Sequence, residues 1–538
     1  LSLNLFNAST GAIKPTAAEH LDLPQLEQWL WDAACEIRGA TDAPKFKDFI
    51  LPLVFYKRLS DVFDDEFARH EARFGDHARQ VLEHDHADAL KNGRRPIIRF
   101  IIPEQFAWKK LRHHRKEGLG EFVTTAMRTV ADLNPDLKGV LDVKDYNETQ
   151  SGQRTLDDDR LEALIEVLSR HRLGLQNTEP DILGRAYEYL LRKFAEGQGQ
   201  SAGEFYTPKE VGWLMAHLLN PQPRKECYDP TCGSAGLLIK LRLFYEQTHP
   251  QHRGQAPHLY GQELNTITFA MAKMNMFLHD FGHAYFAIGD TFRKPGFGAE
   301  GAGRLQQFDY VVANPMWNQK NYSPSFYEND TWNRFKKDAP PPSSSADWGW
   351  LQHILASLKA GGRAAVVLDT GAVSRGSGSK SSNKEKTLRQ HVVEQDWVEG
   401  VVLLPENLFY NTTAPGIILL LNKGGKPEER QEQIILINAS NYFVKEKPKN
   451  ALTDEGIGAI AAAFHNWETR PQLSQVITLQ QAREADYNLS PSLFVDVSEG
   501  VVHRPLTDIL ADLQAARSLR EKADVALSDV MAAFIDSS

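Results

Sequence analysis

At 538 residues the chain is too long for a single hydrophobic core, and two or three domains are expected. An apolar content of 42% and a charged content of 24% are ordinary for a soluble globular protein, and no apolar run approaches the roughly 20 residues that a membrane-spanning helix needs. The net charge of −9 argues against a protein that grips nucleic acid unaided, because phosphate neutralisation supplies most non-specific affinity.

The three cysteines, Cys35, Cys227 and Cys232, offer neither a disulfide framework nor paired metal-ligand spacing. The first residues show no signal-peptide pattern, so a reducing, cytoplasmic setting is expected. Residues 1–24 are polar and small and read as a flexible arm. From Leu26 the pattern turns helical: Leu26, Trp29, Leu30, Ala33 and Ala34 recur at spacings of three and four. Gly39 and Pro44 punctuate it, and Phe46, Phe49, Ile50, Leu53 and Val54 open a second apolar face. An all-helical N-terminal domain is expected over 25–170. Within it, Arg94, Arg95, Arg99, Lys109, Lys110, Arg112, Arg115 and Lys116 interleave with Phe100, Phe106 and Trp108. Such a run is either a solvated face or a surface that tracks phosphates. Ile182, Leu183, Ala186, Leu190 and Phe194 form a helical stripe that core packing explains.

The texture changes near Gly203. From there to Lys423, strand-like apolar runs alternate with helical patterns, the signature of an α/β domain built on a parallel sheet and expected to span 171–495. The runs placed on strands are Glu226–Asp229, Leu259–Glu263, Tyr285–Gly289, Tyr310–Ala313, Arg363–Leu368, Val398–Leu404 and Ile417–Leu421. Two long irregular stretches interrupt them. Residues 319–347, with Pro340-Pro341-Pro342 and Ser343-Ser344-Ser345, read as a loop that becomes ordered on substrate, and residues 371–386 are Gly/Ser/Lys-rich. The tail, 496–538, is expected to carry a helix whose Leu506, Ile509, Leu513, Ala516, Arg520, Ala523, Leu527, Val530 and Phe534 form an apolar seam with one arginine in it. That seam suits folding back on the core or docking to a partner helix.

The chemistry concentrates at strand ends. Asp229-Pro230-Thr231-Cys232-Gly233-Ser234-Ala235-Gly236 follows a short strand and leads into an apolar helix; its glycines let backbone pass close to a ligand. It is neither Gly-x-Gly-x-x-Gly nor a P-loop, which disfavours a dinucleotide or ATP and suits a ligand with no phosphate at this turn, such as S-adenosylmethionine. Glu263 ends the next strand, where a carboxylate can accept from both ribose hydroxyls. Asp290 ends the third, near where an adenine ring would lie, and Asn314 ends the fourth. Asn314 offers a carbonyl acceptor, the Pro315 turn presents backbone carbonyls, and Trp317 offers a stacking face.

Asn314-Pro315-Met316-Trp317 resembles the Asn-Pro-Pro-aromatic motif of the amino-methyltransferases that methylate adenine N6 in DNA. Leu26 through Ala34, Asp42 through Leu53 and Lys57-Arg58-Leu59-Ser60-Asp61 resemble the helical N-terminal domain of type I restriction-modification methyltransferase subunits. Glu399 to Pro405, Leu408-Phe409-Tyr410-Asn411-Thr412 and Tyr487-Asn488-Leu489-Ser490 extend that likeness, which runs from about residue 25 to about 495. Gly203-Glu204-Phe205-Tyr206-Thr207-Pro208-Lys209 is similar to the family motif that packs on the methionine end of the cofactor, so Glu204, Phe205, Tyr206, Thr207, Pro208 and Lys209 join Asp229, Gly233, Ser234, Ala235, Gly236, Glu263 and Asp290 as implied cofactor-binding residues. This order of motifs is that of the gamma class. The resemblance implies the seven-stranded, mostly parallel sheet of the class I S-adenosylmethionine-dependent methyltransferases.

It also implies a mechanism. Asn314 and the Pro315 carbonyl would accept hydrogen bonds from adenine N6, localising its lone pair for in-line attack on the methyl group. The base would be flipped out of the duplex onto Trp317. No cysteine nucleophile is required, and Cys232 would not serve as one. Met316 departs from the usual second proline and loosens the turn. The partners implied are DNA, a specificity subunit that reads the sequence and binds two such chains, and a restriction subunit in the full complex. Two alternatives use the same residues: methylation of a protein glutamine amide, and a scaffold subunit that has lost turnover.

Overall fold

Asp22 starts the first helix: its carboxylate accepts from the backbone of Gln25 while the Gln25 side chain accepts from the backbone of Asp22, a reciprocal cap. The computed structural model describes residues 21–39, 46–142, 144–150, 153–178, 182–195, 207–279, 281, 284–299, 303–320, 322–336, 340–409, 412–447, 449–497 and 506–536. The arm expected over 1–24 lies outside them except for its last four residues, of which Leu21 is buried and donates its N–H to the Asn177 carbonyl. Residues 1–495 form one compact unit and residues 496–538 a second.

The N-terminal part is a helical bundle of α1 (Leu23–Glu36), α2 (Phe46–Phe74), α3 (Ala78–Asn92), α4 (Leu119–Leu133), α5 (Asp158–Leu168) and α6 (Ile182–Ala195). Leu26, Trp29, Leu30 and Ala33 on α1 and Phe49, Ile50, Leu53 and Val54 on α2 share one buried core, as their spacing predicts. Buried polar tips are satisfied by backbone. The Trp29 indole donates to the Val167 carbonyl at 2.8 Å, and the Tyr146 hydroxyl to that of Phe49 at 2.7 Å.

The basic run over 94–116 is largely compensated within this bundle. Arg94 pairs with Asp85 at 2.7 Å, Arg112 grips Glu166 with both arms of its guanidinium, and Lys116 lies 2.7 Å from Asp159. Phe100 and Trp108 are core residues. Arg99 pairs with Glu66 and donates to the carbonyls of Phe277 and Leu278 at 2.6 and 3.1 Å, while Phe100 packs on Phe277. The run thus serves the packing of this region more than it offers a bare cationic stripe.

The rest of the first unit is built on a nine-stranded sheet. In chain order its strands are β1 (Glu226–Asp229), β2 (His258–Glu263), β3 (Ala284–Ile288), β4 (Phe308–Ala313), β5 (Leu358–Asp369), β6 (Val398–Leu403), β7 (Gly416–Asn422), β8 (Gln433–Asn438) and β9 (Ser474–Thr478). Their spatial order is β3-β2-β1-β4-β5-β7-β6-β8-β9. The first five in space run parallel, β7 lies antiparallel between β5 and β6, β8 is parallel to β6, and β9 returns antiparallel.

All seven expected runs are strands; β8 and β9 correct the count to nine. Ile434 to Ile437 form a run buried on both faces, which periodicity does not separate from a helix segment. On the edge strand Ser474–Thr478, Ile477 and the polar Ser474 are the fully buried residues, so it carries little apolar signal.

Helices α7 (Lys209–Leu219), α8 (Gly236–Thr248) and α12 (Asp454–Asn466) cover one face, and α10 (Asp347–Ser357) and α11 (Lys384–Glu394) the other. Helix α9 (Thr266–Leu278) divides its apolar residues: Ala272 and Met276 face the sheet, whereas Ala270, Met271, Met274 and Leu278 belong to the core of the N-terminal bundle.

The described residues of 319–347 pack against the rest of the first unit. Tyr322, Tyr327 and Phe335 pack with Phe292 and Trp350 in an aromatic cluster of their own. Buried Arg334 pairs with Asp330 at 2.7 Å and donates to the carbonyls of Thr291 and Phe292 at 3.1 and 2.5 Å. The Gly/Ser/Lys-rich stretch 371–386 is likewise tied down, through Arg375 to Asp347, Asp369 and Glu385 at 2.5, 2.8 and 2.5 Å. Among the described residues no helix is long and apolar enough to cross a membrane.

The second unit contains α13 (Leu506–Asp536), on which Ile509, Leu513 and Leu527 are all exposed.

Arg99→Ala should remove the donors that close the last turn of α9 and leave Glu66 unpaired. The expected cost is about 2–3 kcal/mol, seen as a lower unfolding midpoint and as faster amide exchange over 275–279.

Candidate active site

Strands β1 and β4 are direct parallel neighbours, with Cys227 opposite Tyr310 and Tyr228 opposite Val311. The loops that leave them, one beginning at Asp229 and one at Asn314, therefore emerge side by side at the carboxyl edge of the sheet, where open α/β sheets bind ligands. Strand β2 flanks β1 with Gly261 opposite Asp229, and β3 flanks β2 with Ile288 opposite Glu263.

The turn after β1 is shaped by its own backbone. Asp229 is buried, and its carboxylate accepts from the Thr231 N–H at 2.9 Å. Gly233 (φ 54) and Ala235 (φ 67) are left-handed; a side chain at Gly233 would meet nothing within 4 Å, so this part of the turn faces open space. The Gly233 N–H donates to Glu263 at 2.9 Å, and the other carboxylate oxygen of Glu263 accepts from Asn265 at 2.8 Å. Ser234 is held through its carbonyl by Asn275 of α9 at 3.0 Å, and Gly236 opens α8. Beyond β3, Asp290 accepts from the backbone of Phe292 at 2.9 Å and from the Tyr322 hydroxyl at 3.3 Å, and the Thr291 hydroxyl donates to the Pro230 carbonyl at 2.6 Å. The tips of β1, β2 and β3 are in this way stitched into one rim.

Burial pushes the Asp229 carboxyl up to about 8, and the nearby charge of Glu263 adds to the rise. Burial also holds the Cys232 thiol well above its usual range, so it is no nucleophile.

Asn314 ends β4 almost buried. Its Oδ1 accepts from the Trp317 indole N–H at 3.2 Å, and its Nδ2 donates to the Thr207 hydroxyl at 2.9 Å. Pro315 is buried and Met316 half-buried between them. The Trp317 ring meets Phe409 at 4.9 Å between centroids, inclined by 71°, and lies over Gly416, where a Cβ would come within 3.0 Å of it. Thr207 and Pro208 precede α7, on which Lys209 is exposed. The other end of that helix is anchored by Arg363, which donates to the carbonyls of Leu219 and Leu218 at 3.0 and 3.1 Å and pairs with Glu399. Glu204, Phe205 and Tyr206 lie outside the described residues.

Several residues that shape the rim escape a reading of motifs. Gln262, fully buried in β2, accepts from Gly296 at 2.8 Å and donates to the carbonyls of Gly289 and Lys294 at 3.1 and 2.9 Å. A Cβ at Gly261 would fall 2.8 Å from the Cys232 sulfur, so the turn can lie on β2 only over a glycine. A polar residue and a glycine inside a strand were the available signals.

A family model described as N-6 DNA Methylase matches residues 178–501, and one for the HsdM N-terminal domain matches residues 26–168. The chain belongs to the N-6 DNA methylase family. It is 34% identical over 422 residues to the type I restriction enzyme MjaVII methylase subunit of Methanocaldococcus jannaschii, a match spanning 76% of this chain and 68% of that one. The MpnII methylase subunit of Mycoplasma pneumoniae is 28% identical over 504 residues, which are 88% of this chain and 89% of the relative. Among solved structures, the type I restriction-modification system methyltransferase subunit from Streptococcus thermophilus superposes with a TM-score of 0.69 at 26% identity, covering 88% of this chain and all of that one. As an N-6 DNA methylase the chain is an adenine-specific DNA methyltransferase of the type I restriction-modification class. Nothing in the matched family speaks for the protein-glutamine alternative.

In this N-6 DNA methylase the raised Asp229 carboxyl sets a sign for stability. Between its ordinary value of 3.8 and about 8 the folded state binds a proton that the unfolded state does not. Its contribution to stability is therefore lost as pH rises through that window. Asp229→Asn should flatten this limb relative to the parent in denaturant titrations from pH 4 to pH 9, and be the more stable of the two at the alkaline end.

Proposed function

We propose that this chain transfers a methyl group from S-adenosylmethionine to adenine N6 of a base flipped out of duplex DNA, with sequence specificity supplied by a separate subunit. The observation that carries the reading is the side-by-side emergence of the Asp229 turn and Asn314 from paired parallel strands.

The residues present fit the cofactor. The open backbone at Gly233 leaves room for a ligand, and the carboxylates of Glu263 and Asp290 suit a cation that carries hydroxyls and an amino-substituted ring. Asp229, Gly233, Ser234, Ala235 and Gly236 would cradle it, Glu263 would take the ribose, Asp290 the adenine side, and Glu204 to Lys209 the methionine end. When bound, S-adenosylmethionine supplies an electrophilic methyl group. Asn314 Oδ1 and the Pro315 carbonyl accept from the target amino group, drawing its nitrogen toward tetrahedral geometry and freeing its lone pair. Trp317 stacks on the flipped base. Acceptors already fixed in place need no reorganisation during the reaction.

The division of labour rests on the net charge of −9 and on the internally compensated basic run. A specificity subunit binding two copies of this chain would supply the grip on DNA, and a restriction subunit would join the full complex. The exposed apolar residues of α13 suit one of these contacts.

With tritiated cofactor and unmethylated DNA, the chain plus its specificity subunit should label adenine N6, and Asn314→Ala should lower kcat by about a hundredfold or more. Robust sequence-specific labelling by the chain alone would contradict the division of labour, and an undiminished rate in Asn314→Ala would contradict the assigned chemistry. The double change Leu513→Lys and Leu527→Lys should abolish co-purification with the specificity subunit and leave cofactor affinity unchanged; retained association would remove α13 from the interface.

A further inference from the structure

The Asn314 carboxamide has two faces of opposite meaning. Turned one way it presents an acceptor, and turned over it presents two N–H donors, which would oppose the amino group of a base rather than polarise it. Rotation about the last side-chain bond interchanges them, so the orientation has to be set by neighbours.

Two neighbours set it. The Trp317 indole nitrogen can only donate, and it lies 3.2 Å from Asn314 Oδ1, which identifies that atom as the oxygen. The Thr207 hydroxyl, 2.9 Å from Nδ2, accepts one amide hydrogen at the other end. A carbonyl oxygen has two lone pairs, so Trp317 occupies one and leaves the other for an incoming N–H. Both partners are themselves held. The Trp317 ring is wedged against Phe409 and Gly416, and Thr207 directly precedes a helix whose far end is pinned by Arg363. Asn314 is only 8% exposed, leaving little room for water to replace either bond. Tryptophan differs here from phenylalanine, which would stack equally well but has no donor.

We propose that Thr207 and the indole N–H of Trp317 are positioning groups that lock the Asn314 carboxamide with one oxygen lone pair aimed at the amino group to be methylated. Thr207 thereby acts on the chemical step, beyond any contact its segment makes with the cofactor. The inference rests on the assignment of Asn314 as the acceptor.

The test uses the full chain assembled with its specificity subunit, tritiated S-adenosylmethionine and PCR-amplified, unmethylated DNA. Thr207→Val, which keeps shape and removes the hydroxyl, should lower kcat about tenfold, the kinetic worth of one neutral hydrogen bond, a larger factor than any change in KM for the cofactor. Thr207→Ser should recover most of that loss. Trp317→Phe keeps a stacking ring and should lower kcat by a similar factor with KM for DNA little changed; it reads the lock from the opposite side, so the test survives if one variant folds poorly. A rise in the cofactor KM of Thr207→Val with kcat intact would overturn the inference, as would parental kcat in both variants. Asn314→Ala separates the two levels. If it is inactive while Thr207→Val and Trp317→Phe turn over normally, the lock alone fails; if it is fully active, the acceptor assignment fails with it.

Discussion

Everything at the rim depends on the parallel pairing of β1 with β4. The hydrogen bonds between these two short strands hold Tyr228 opposite Val311, and a slip of one residue would turn every side chain of either strand to the opposite face. The register is enforced by burial on both sides: Cys227, Tyr310 and Val312 point into one core, Tyr228, Val311 and Ala313 into the other. Packing in the two cores thus decides that the Asp229 turn and Asn314 leave the sheet side by side.

The rim is also an electrostatic compromise. Asp229, Glu263 and Asp290 gather at adjoining strand ends, and burial together with the charge of Glu263 raises the Asp229 carboxyl. The fold offsets the strain with backbone donors, from Thr231 to Asp229, from Gly233 and Asn265 to Glu263, and from Phe292 to Asp290. Such a rim favours a cation that carries hydroxyls and repels a polyanion. On the proposed reading, the half of the site meant for DNA centres on the uncharged trio of Asn314, Pro315 and Trp317. Arginines that looked available for phosphates, such as Arg94 and Arg112, are paired with carboxylates of their own bundle.

Much of this was legible in the residues because it depends on local pattern. Short runs rich in β-branched or aromatic residues, most of them closed by glycine, proline or a carboxylate, marked seven strands, and the spacing of Leu26, Trp29, Leu30 and Ala33 marked the first helix. What stayed hidden depends on distant partners. Nothing in Ser474–Thr478 says that it closes the edge of the sheet, because its pairing with Gln433–Asn438 is supplied by chain some forty residues away. The stretch after Asn314 looked loose for its prolines and serines, yet Phe292 and Trp350, remote in sequence, give Tyr322, Tyr327 and Phe335 a core to join. Arg99 read as surface charge because the carbonyls it closes belong to a helix about 180 residues further on. The bond from Asn314 to Thr207 was hidden for the same reason, and even the local one to Trp317 escaped because motifs name residues while orientation comes from contacts.

Helix α9 has a consequence for how the molecule can be divided. One of its sides completes the interior of the bundle and the other lies under the sheet, while Asn275 between them steadies Ser234. An excised catalytic fragment beginning near residue 171 would present Met271, Met274 and Leu278 to water and lose the guanidinium at the helix terminus. Truncation there would yield a sticky, frayed remnant rather than a minimal enzyme.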